Sequence, residues 1–252
     1  VLRYTPFYRK LKEIITAGKA GEIITVHASE NVGYYHQAHS FVRGPWRNYK
    51  ESSPMILAKC CHDMDILRWL IDKKCTSVSS FGSLSVFRPD HAPAGHTEYC
   101  SDCPHTDCIY KAQTLYPEYH WQARYFTDSE DDNEILRALK HSQYDRCVYG
   151  SDNDVVDHQV SIFAFEGGVT AAHTMTAFSK KVYRDIKIHG TLAEIVGNME
   201  YNFIELRTFG GNEERFEFDS NSISGNHGGG DNGLMHEVWR DFNGMPTVGM
   251  SY

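Results

Sequence analysis

The chain has 252 residues, 41% of them hydrophobic and 23% charged, which suits a domain with a buried core and excludes a disordered chain. A formal net charge of −8, with no cluster of Lys and Arg, excludes the basic footprint of a nucleic-acid binder. No apolar run approaches the roughly 18 residues of a membrane span, and an odd count of seven cysteines suits a reducing cytoplasm better than a secreted disulfide framework.

Val1-Leu2-Arg3-Tyr4 reads as the tail of a strand with no signal-peptide apolar region, and the expectation is a fragment of a longer protein. Thr5 as N-cap and Pro6 at the first helical position predict a helix from Pro6 to Ala17, stopped by Gly18. Alternation around Ile23, Thr25 and His27 predicts a strand between Gly21 and Tyr35. A second helix is expected from Ser53-Pro54 to about Ile71, with Leu57, Cys60, Cys61, Met64, Leu67 and Ile71 as its buried face.

Thr76 to Phe87 reads as a strand. From about residue 88 to 126 Pro, His, Cys and Tyr predominate, as in an irregular insertion, and Ser129 to His141 reads as a helix. Six strands then follow: Val155–Phe165, Val169–Phe178, Arg184–His189, Ala193–Asn198, Phe203–Phe209 and Glu214–Phe218. This order predicts an α+β fold, a large, mostly antiparallel, open-faced sheet with helices on one face.

No Gly-x-Gly-x-x-Gly is read between a strand and a helix, and a Walker loop and a Gly-x-Ser-x-Gly elbow are missing from the sequence. The triplet Gly228-Gly229-Gly230 is a weak phosphate signal, so the chain by itself is expected to bind a dinucleotide poorly.

Four groups of residues could carry chemistry. Lys59, His62 and Asp65 recur every three residues, so on one continuous helix they share a face, and a His between a cation and a carboxylate suits proton transfer. A solvated ion-paired face is the plainer alternative. Tyr35, His36, His39, Arg43, Trp46 and Arg47 combine rings with donors, as a site for a polyhydroxylated ligand would; packing at the domain edge is their alternative. His158 beside Asp157, and His227 before Asp231, are further candidates for binding or for local hydrogen bonding. Cys100, Cys103, Cys108 and Cys147 supply the four thiolates of a structural zinc site, or are ordinary reduced thiols, and His105 could replace one of them.

Leu2-Arg3-Tyr4-Thr5-Pro6-Phe7-Tyr8, Gly18-Lys19-Ala20-Gly21-Glu22-Ile23, the His62-x-x-Asp65 helix and His227-Gly-Gly-Gly-Asp231 form a series. Together they resemble the C-terminal domain of the Gfo/Idh/MocA oxidoreductases over nearly the whole chain. The resemblance implies a missing N-terminal Rossmann domain that binds NAD or NADP, with 1–252 as the substrate-binding and oligomer-forming domain. It also implies that His62 acts as acid or base at the carbinol oxygen of a sugar, cyclitol or similar polyol. Many members carry Asp four residues before this histidine, where Ala58 stands here, and Lys59 is the neighbouring replacement. An NAD-dependent glycosidase of the same family and a non-catalytic ligand-binding or dimerisation domain are the alternatives. Homo-oligomers are expected through the sheet between Val155 and Phe218, on a face bearing Phe163, Phe165, Phe203 and Phe209. Neither a membrane nor a nucleic-acid partner is expected.

Overall fold

Thr5 and Pro6 start the first helix as their chemistry requires: the Thr5 side chain accepts the Tyr8 N–H at 3.2 Å, and Pro6 sits where no intrahelical donor is needed. This helix, α1 (Pro6–Thr16), turns Phe7, Tyr8, Leu11 and Ile14 inward. Strand β1 (Ile23–Asn31) follows. The computed structural model describes residues 1–218 and 227–247.

After β1, which ends at Asn31 and not at Tyr35 as expected, the chain turns into α2 (Tyr34–His36), which continues as a wider π-helical stretch, Gln37–Arg43. The helix expected from Pro54 to Ile71 is two helices, α3 (Met55–Ala58) and α4 (Cys61–Ile71). The break lies at Lys59 and Cys60, whose ψ angles of −47° and 6° bend the path between them. It also changes the buried face: Leu57 is exposed, Cys61 is exposed, and Ile66 and Leu70 face inward beside Leu67 and Ile71.

Strand β2 (Cys75–Ser83) leads into the insertion. That segment is more ordered than its composition suggests, with α5 (Ala112–Glu118) and α6 (His120–Ala123) inside it and α7 (Asp132–Leu139) after it. Cys100, Ala112, Tyr116, Ala123, Ile135, Leu139 and Tyr144 give this region a small core of its own.

The remaining strands are β3 (His158–Phe165), β4 (Thr170–Thr176), β5 (Tyr183–Gly190), β6 (Ala193–Asn198), β7 (Phe203–Thr208) and β8 (Glu213–Glu217), before α8 (Gly230–Phe242). They form one 8-stranded sheet in the order β2-β3-β4-β1-β5-β6-β7-β8. Every neighbouring pair is antiparallel except β1 with β4, which run parallel from Thr25↔Thr170 to Asn31↔Thr176. The α+β architecture with helices on one face is therefore observed.

One sheet face packs on α1 and α4, joining Phe7, Leu11, Ile66 and Leu70 to Val26, Ile186, Ile188 and Ile195. Alternation sends His27, Asp185, Lys187 and His189 to the other face. The aromatic face expected from the sequence is corrected here. Phe165 is buried and Phe163 packs against the same core, so neither belongs to the open side. Phe203 lies under the Arg215 guanidinium, 4.5 Å from it, and Phe209 is exposed in the turn after β7. The apolar part of the open face is instead Phe81 paired with Val160, beside Ile162.

Candidate functional site

Strand alternation places two ionisable residues in the phase that should be apolar: Glu30 on β1 and Arg184 on β5 both point to the helix side and are buried. They are cross-strand partners, and the Arg184 guanidinium lies 2.6 Å from Glu30. Arg184 Nε donates to Asp63 of α4 at 3.0 Å, and Glu200 stands 3.8 Å from its other end. Lys59 reaches Glu30 at 3.2 Å. Glu30 meets both cations closely but at angles that do not make hydrogen bonds. Such a network persists because each charge is compensated; removing one member leaves the others buried and unpaired.

Cys60, Asp63 and His173 are the only three metal-binding side chains among the described residues whose donor atoms lie within 4.8 Å of one another. Arg184 already supplies the positive charge at Asp63, so the group is balanced without an ion. Burial pushes the His173 imidazole down to about 4, which keeps it neutral there.

Above this network opens a cavity of 680 Å³, lined among others by His36, Lys59, Trp121, Arg184, Glu200 and His227. The insertion supplies Trp121 and Tyr125 as aromatic wall, and the loop after β6 supplies Glu200 and Asn202. Burial raises the Glu200 carboxyl to about 7 against the lowering effect of Arg184. Burial, then the Lys59 charge, holds His36 neutral, well below the usual imidazole range.

His227 stands in the cavity lining, with its Nδ1 held 3.0 and 3.1 Å from the two Asp231 carboxylate oxygens. His62 lies behind it, their rings 5.2 Å apart. Burial first, then Arg184 and His227, lowers His62 to about 4, so near neutral pH its imidazole is uncharged. The three residues predicted to share one helix face do not do so. Lys59 turns to Glu30, and Asp65 is held by Arg3 through two contacts of 2.5 and 2.7 Å. The break between α3 and α4 is the physical reason, because it rotates Lys59 off the face that carries His62 and Asp65.

The second predicted group is likewise dispersed. His36 lines the cavity, whereas Tyr35 stacks on Tyr119 with ring centroids 3.9 Å apart. His39 is buried against the Tyr116 hydroxyl at 3.0 Å, and burial lowers it to about 3. Arg43 is buried, with its guanidinium on the Arg146 and Tyr110 carbonyls at 2.7 Å each. Arg47 is ion-paired with Asp152 at 2.8 Å, and Trp46 is exposed. His158 bonds its neighbour Asp157 at 2.8 Å on the rim of the sheet. Sequence reasoning missed Glu30, Asp63, Arg184 and Glu200; charged residues in the apolar phase of β1 and β5 were the available signal.

The four cysteines Cys100, Cys103, Cys108 and Cys147 line one small cavity of 20 Å³, together with His96 and His105. All four are free thiols.

Residues 8–107 match the family model described as the GFO/IDH/MocA C-terminal domain. The chain is 25% identical, over 94% of its length, to the Bacillus subtilis (strain 168) protein named "Putative oxidoreductase YteT", and it spans 58% of that relative. Among solved structures, levoglucosan dehydrogenase in complex with NADH and levoglucosan superposes with a TM-score of 0.63 at 14% identity, over 99% of this chain and 57% of that one. An inositol dehydrogenase homolog complexed with NAD+ from Azotobacter vinelandii gives 0.51 at 13% identity, over 86% of this chain and 42% of that one. At these identities the two structures establish a shared fold.

Proposed function

We propose that this chain, whose residues 8–107 match the GFO/IDH/MocA C-terminal domain, is the substrate-binding part of an oxidoreductase that moves hydride between NAD or NADP and a sugar, cyclitol or similar polyol. The observation that carries the reading is the 680 Å³ cavity, in which a carboxylate-oriented histidine, a lysine and aromatic rings face one space. Rings stack on the apolar faces of a sugar, while His227, Asn202 and Glu200 offer partners for its hydroxyls. Neutral His62, behind His227, can take a proton relayed from the carbinol oxygen as that carbon is oxidised.

Among the described residues, none forms a cradle that fits the dinucleotide. Gly228 and Gly229 have positive φ at the start of α8, but the Asp231 carboxylate occupies that helix's first turn and would repel a pyrophosphate. NAD or NADP is accordingly assigned to a domain outside these residues. In the same reading the open sheet face pairs two copies, and the protein is cytoplasmic.

The test uses the full-length protein with NAD+ and NADP+ against a panel of sugars and cyclitols. His62→Ala should lower turnover by about a hundredfold, and Lys59→Ala should also lower it. Turnover unchanged in His62→Ala removes the catalytic assignment. Release of a chromogenic aglycone without net cofactor reduction would favour the glycosidase instead.

A further inference from the structure

Arg43 is a buried cation in want of an anion. Its side chain is 1% exposed, and among the described residues no carboxylate lies within ion-pairing distance of it. Its partners are two carbonyls and, at 3.4 Å from Nη2, the sulfur of Cys100, while Nη1 has no partner. A buried guanidinium supported by neutral acceptors alone is costly, and an anionic centre beside it would offset that cost.

The neighbouring cavity supplies the candidates. Its 20 Å³ is the room of about one water-sized sphere, and Cys100, Cys103, Cys108 and Cys147 all line it. The backbone holds the two segments together. Cys147 N–H donates to the Glu98 carbonyl at 2.9 Å, and Tyr99 and Arg146 form an isolated antiparallel bridge. The carbonyls of Cys100, Cys108 and Cys147 each accept the N–H three residues on, at 3.2, 3.0 and 3.1 Å, so each of these cysteines opens a tight turn. Lys111 pins the connecting loop through the Cys103 and His105 carbonyls, both at 3.0 Å. His105 Nε2 is engaged with the Ala94 carbonyl at 2.9 Å, which leaves the four sulfurs as the better-placed donors.

We propose that Cys100, Cys103, Cys108 and Cys147 form a structural zinc site, with Arg43 as the cation that balances it. Binding exchanges one Zn²⁺ for four thiol protons, which pass to solvent, and leaves a centre of two negative charges. Arg43 compensates one of them through Cys100. No three of these sulfurs lie within 4.8 Å of one another, so the side chains must rotate inward to meet a tetrahedral ion. Zinc here would tie the 146–150 segment to the insertion, which in turn carries Trp121 and Tyr125. The assignment stands independently of the proposed oxidoreductase activity.

The test is metal analysis of the full chain, produced with zinc in the medium. About one zinc per chain is expected, because a closed tetrahedral thiolate site binds tightly. The Cys103→Ser/Cys108→Ser double variant should lose it, while Cys61→Ser, outside the site, should keep it. Should the double variant not fold, wild-type protein stripped by chelator and titrated with Co²⁺ alone should show thiolate-to-cobalt charge transfer and tetrahedral d–d absorption. Hydrogen exchange should then quicken in 93–111 and 146–150 on chelation, with the sheet unaffected. Only trace metal and no cobalt spectrum, with the four sulfurs either all reactive in the native protein or paired as disulfides, overturns the proposal.

Discussion

Arg184 shows how much a single side chain can organise: Glu30, Asp63 and Glu200 belong to three separate elements and meet only at its guanidinium. Glu200 is the most exposed of the three carboxylates, yet burial pushes its carboxyl from the ordinary 4.5 up to about 7 against Arg184's opposing charge. The folded state therefore holds this proton more tightly than the unfolded chain. The stability it contributes is complete below 4.5 and is lost as pH rises through about 7. His39, His62 and His173 act with the opposite sign: their depressed values remove stability as pH falls below 6.5. A comparison of wild type with Glu200→Gln isolates the first effect, because the histidines are common to both. We expect the variant to lose the downward slope of unfolding free energy between about pH 5 and 7, a slope bounded by roughly 1.4 kcal/mol per pH unit for one proton. Urea unfolding across that range measures it, and parallel pH profiles for the two proteins would place an ionised Glu200 in the native state.

Among the elements, β5 carries the tightest fit. Gly190 ends this strand against the loop after α1, where an added Cβ would lie 2.0 Å from the Ala20 carbonyl oxygen. Ala20 is itself fully buried and its carbonyl accepts the Leu192 N–H, so the obstruction is backbone held at both ends. Gly190→Ala should destabilise the protein by about 1–3 kcal/mol, the usual cost of overpacking. Ala→Gly substitution at Ala20 should not rescue it, because the clash is with backbone. A thermal midpoint equal to wild type would mean that the turn shifts freely. Gly190 was readable as a turn glycine like those at 167, 168 and 210, but its close approach to the Ala20 backbone was not.

For the molecule as a whole, the sheet buries one face under α1 and α4 and leaves the other to solvent, with Phe81, Val160 and Ile162 at its β2–β3 end. If two copies pair through that face, sedimentation at tens of micromolar should give a dimer, closed two-fold pairing being the commonest arrangement. Ile162→Arg should then shift it toward monomer without unfolding it, since Ile162 is 51% exposed. A monomer for wild type at that concentration rules out pairing through the sheet.

Local chemistry was enough to place α1 from Thr5 and Pro6, and to read β3 to β8 as successive strands from their alternation, because these signals act over a few residues; a continuous meander is not what they form, since β1 lies between β4 and β5. The parallel pairing of β1 with β4 was not readable, since it joins segments about 145 residues apart in sequence, as in the Thr170–Thr25 hydroxyl contact. For the site, His62 and His227 were nameable as chemical types, and Asp231 as a local partner of His227, but the contact of the two histidine rings and the Glu30–Arg184–Asp63 network were not. A bend at Lys59-Cys60 turned the lysine toward Glu30, and strand phase brought Arg184 to Asp63. The four cysteines were equally visible as residues, and only the Tyr99–Arg146 bridge set Cys147 beside the rest. Residue type sets what a side chain can do, whereas charge pairing and cavity shape depend on distances between segments that only the folded chain defines.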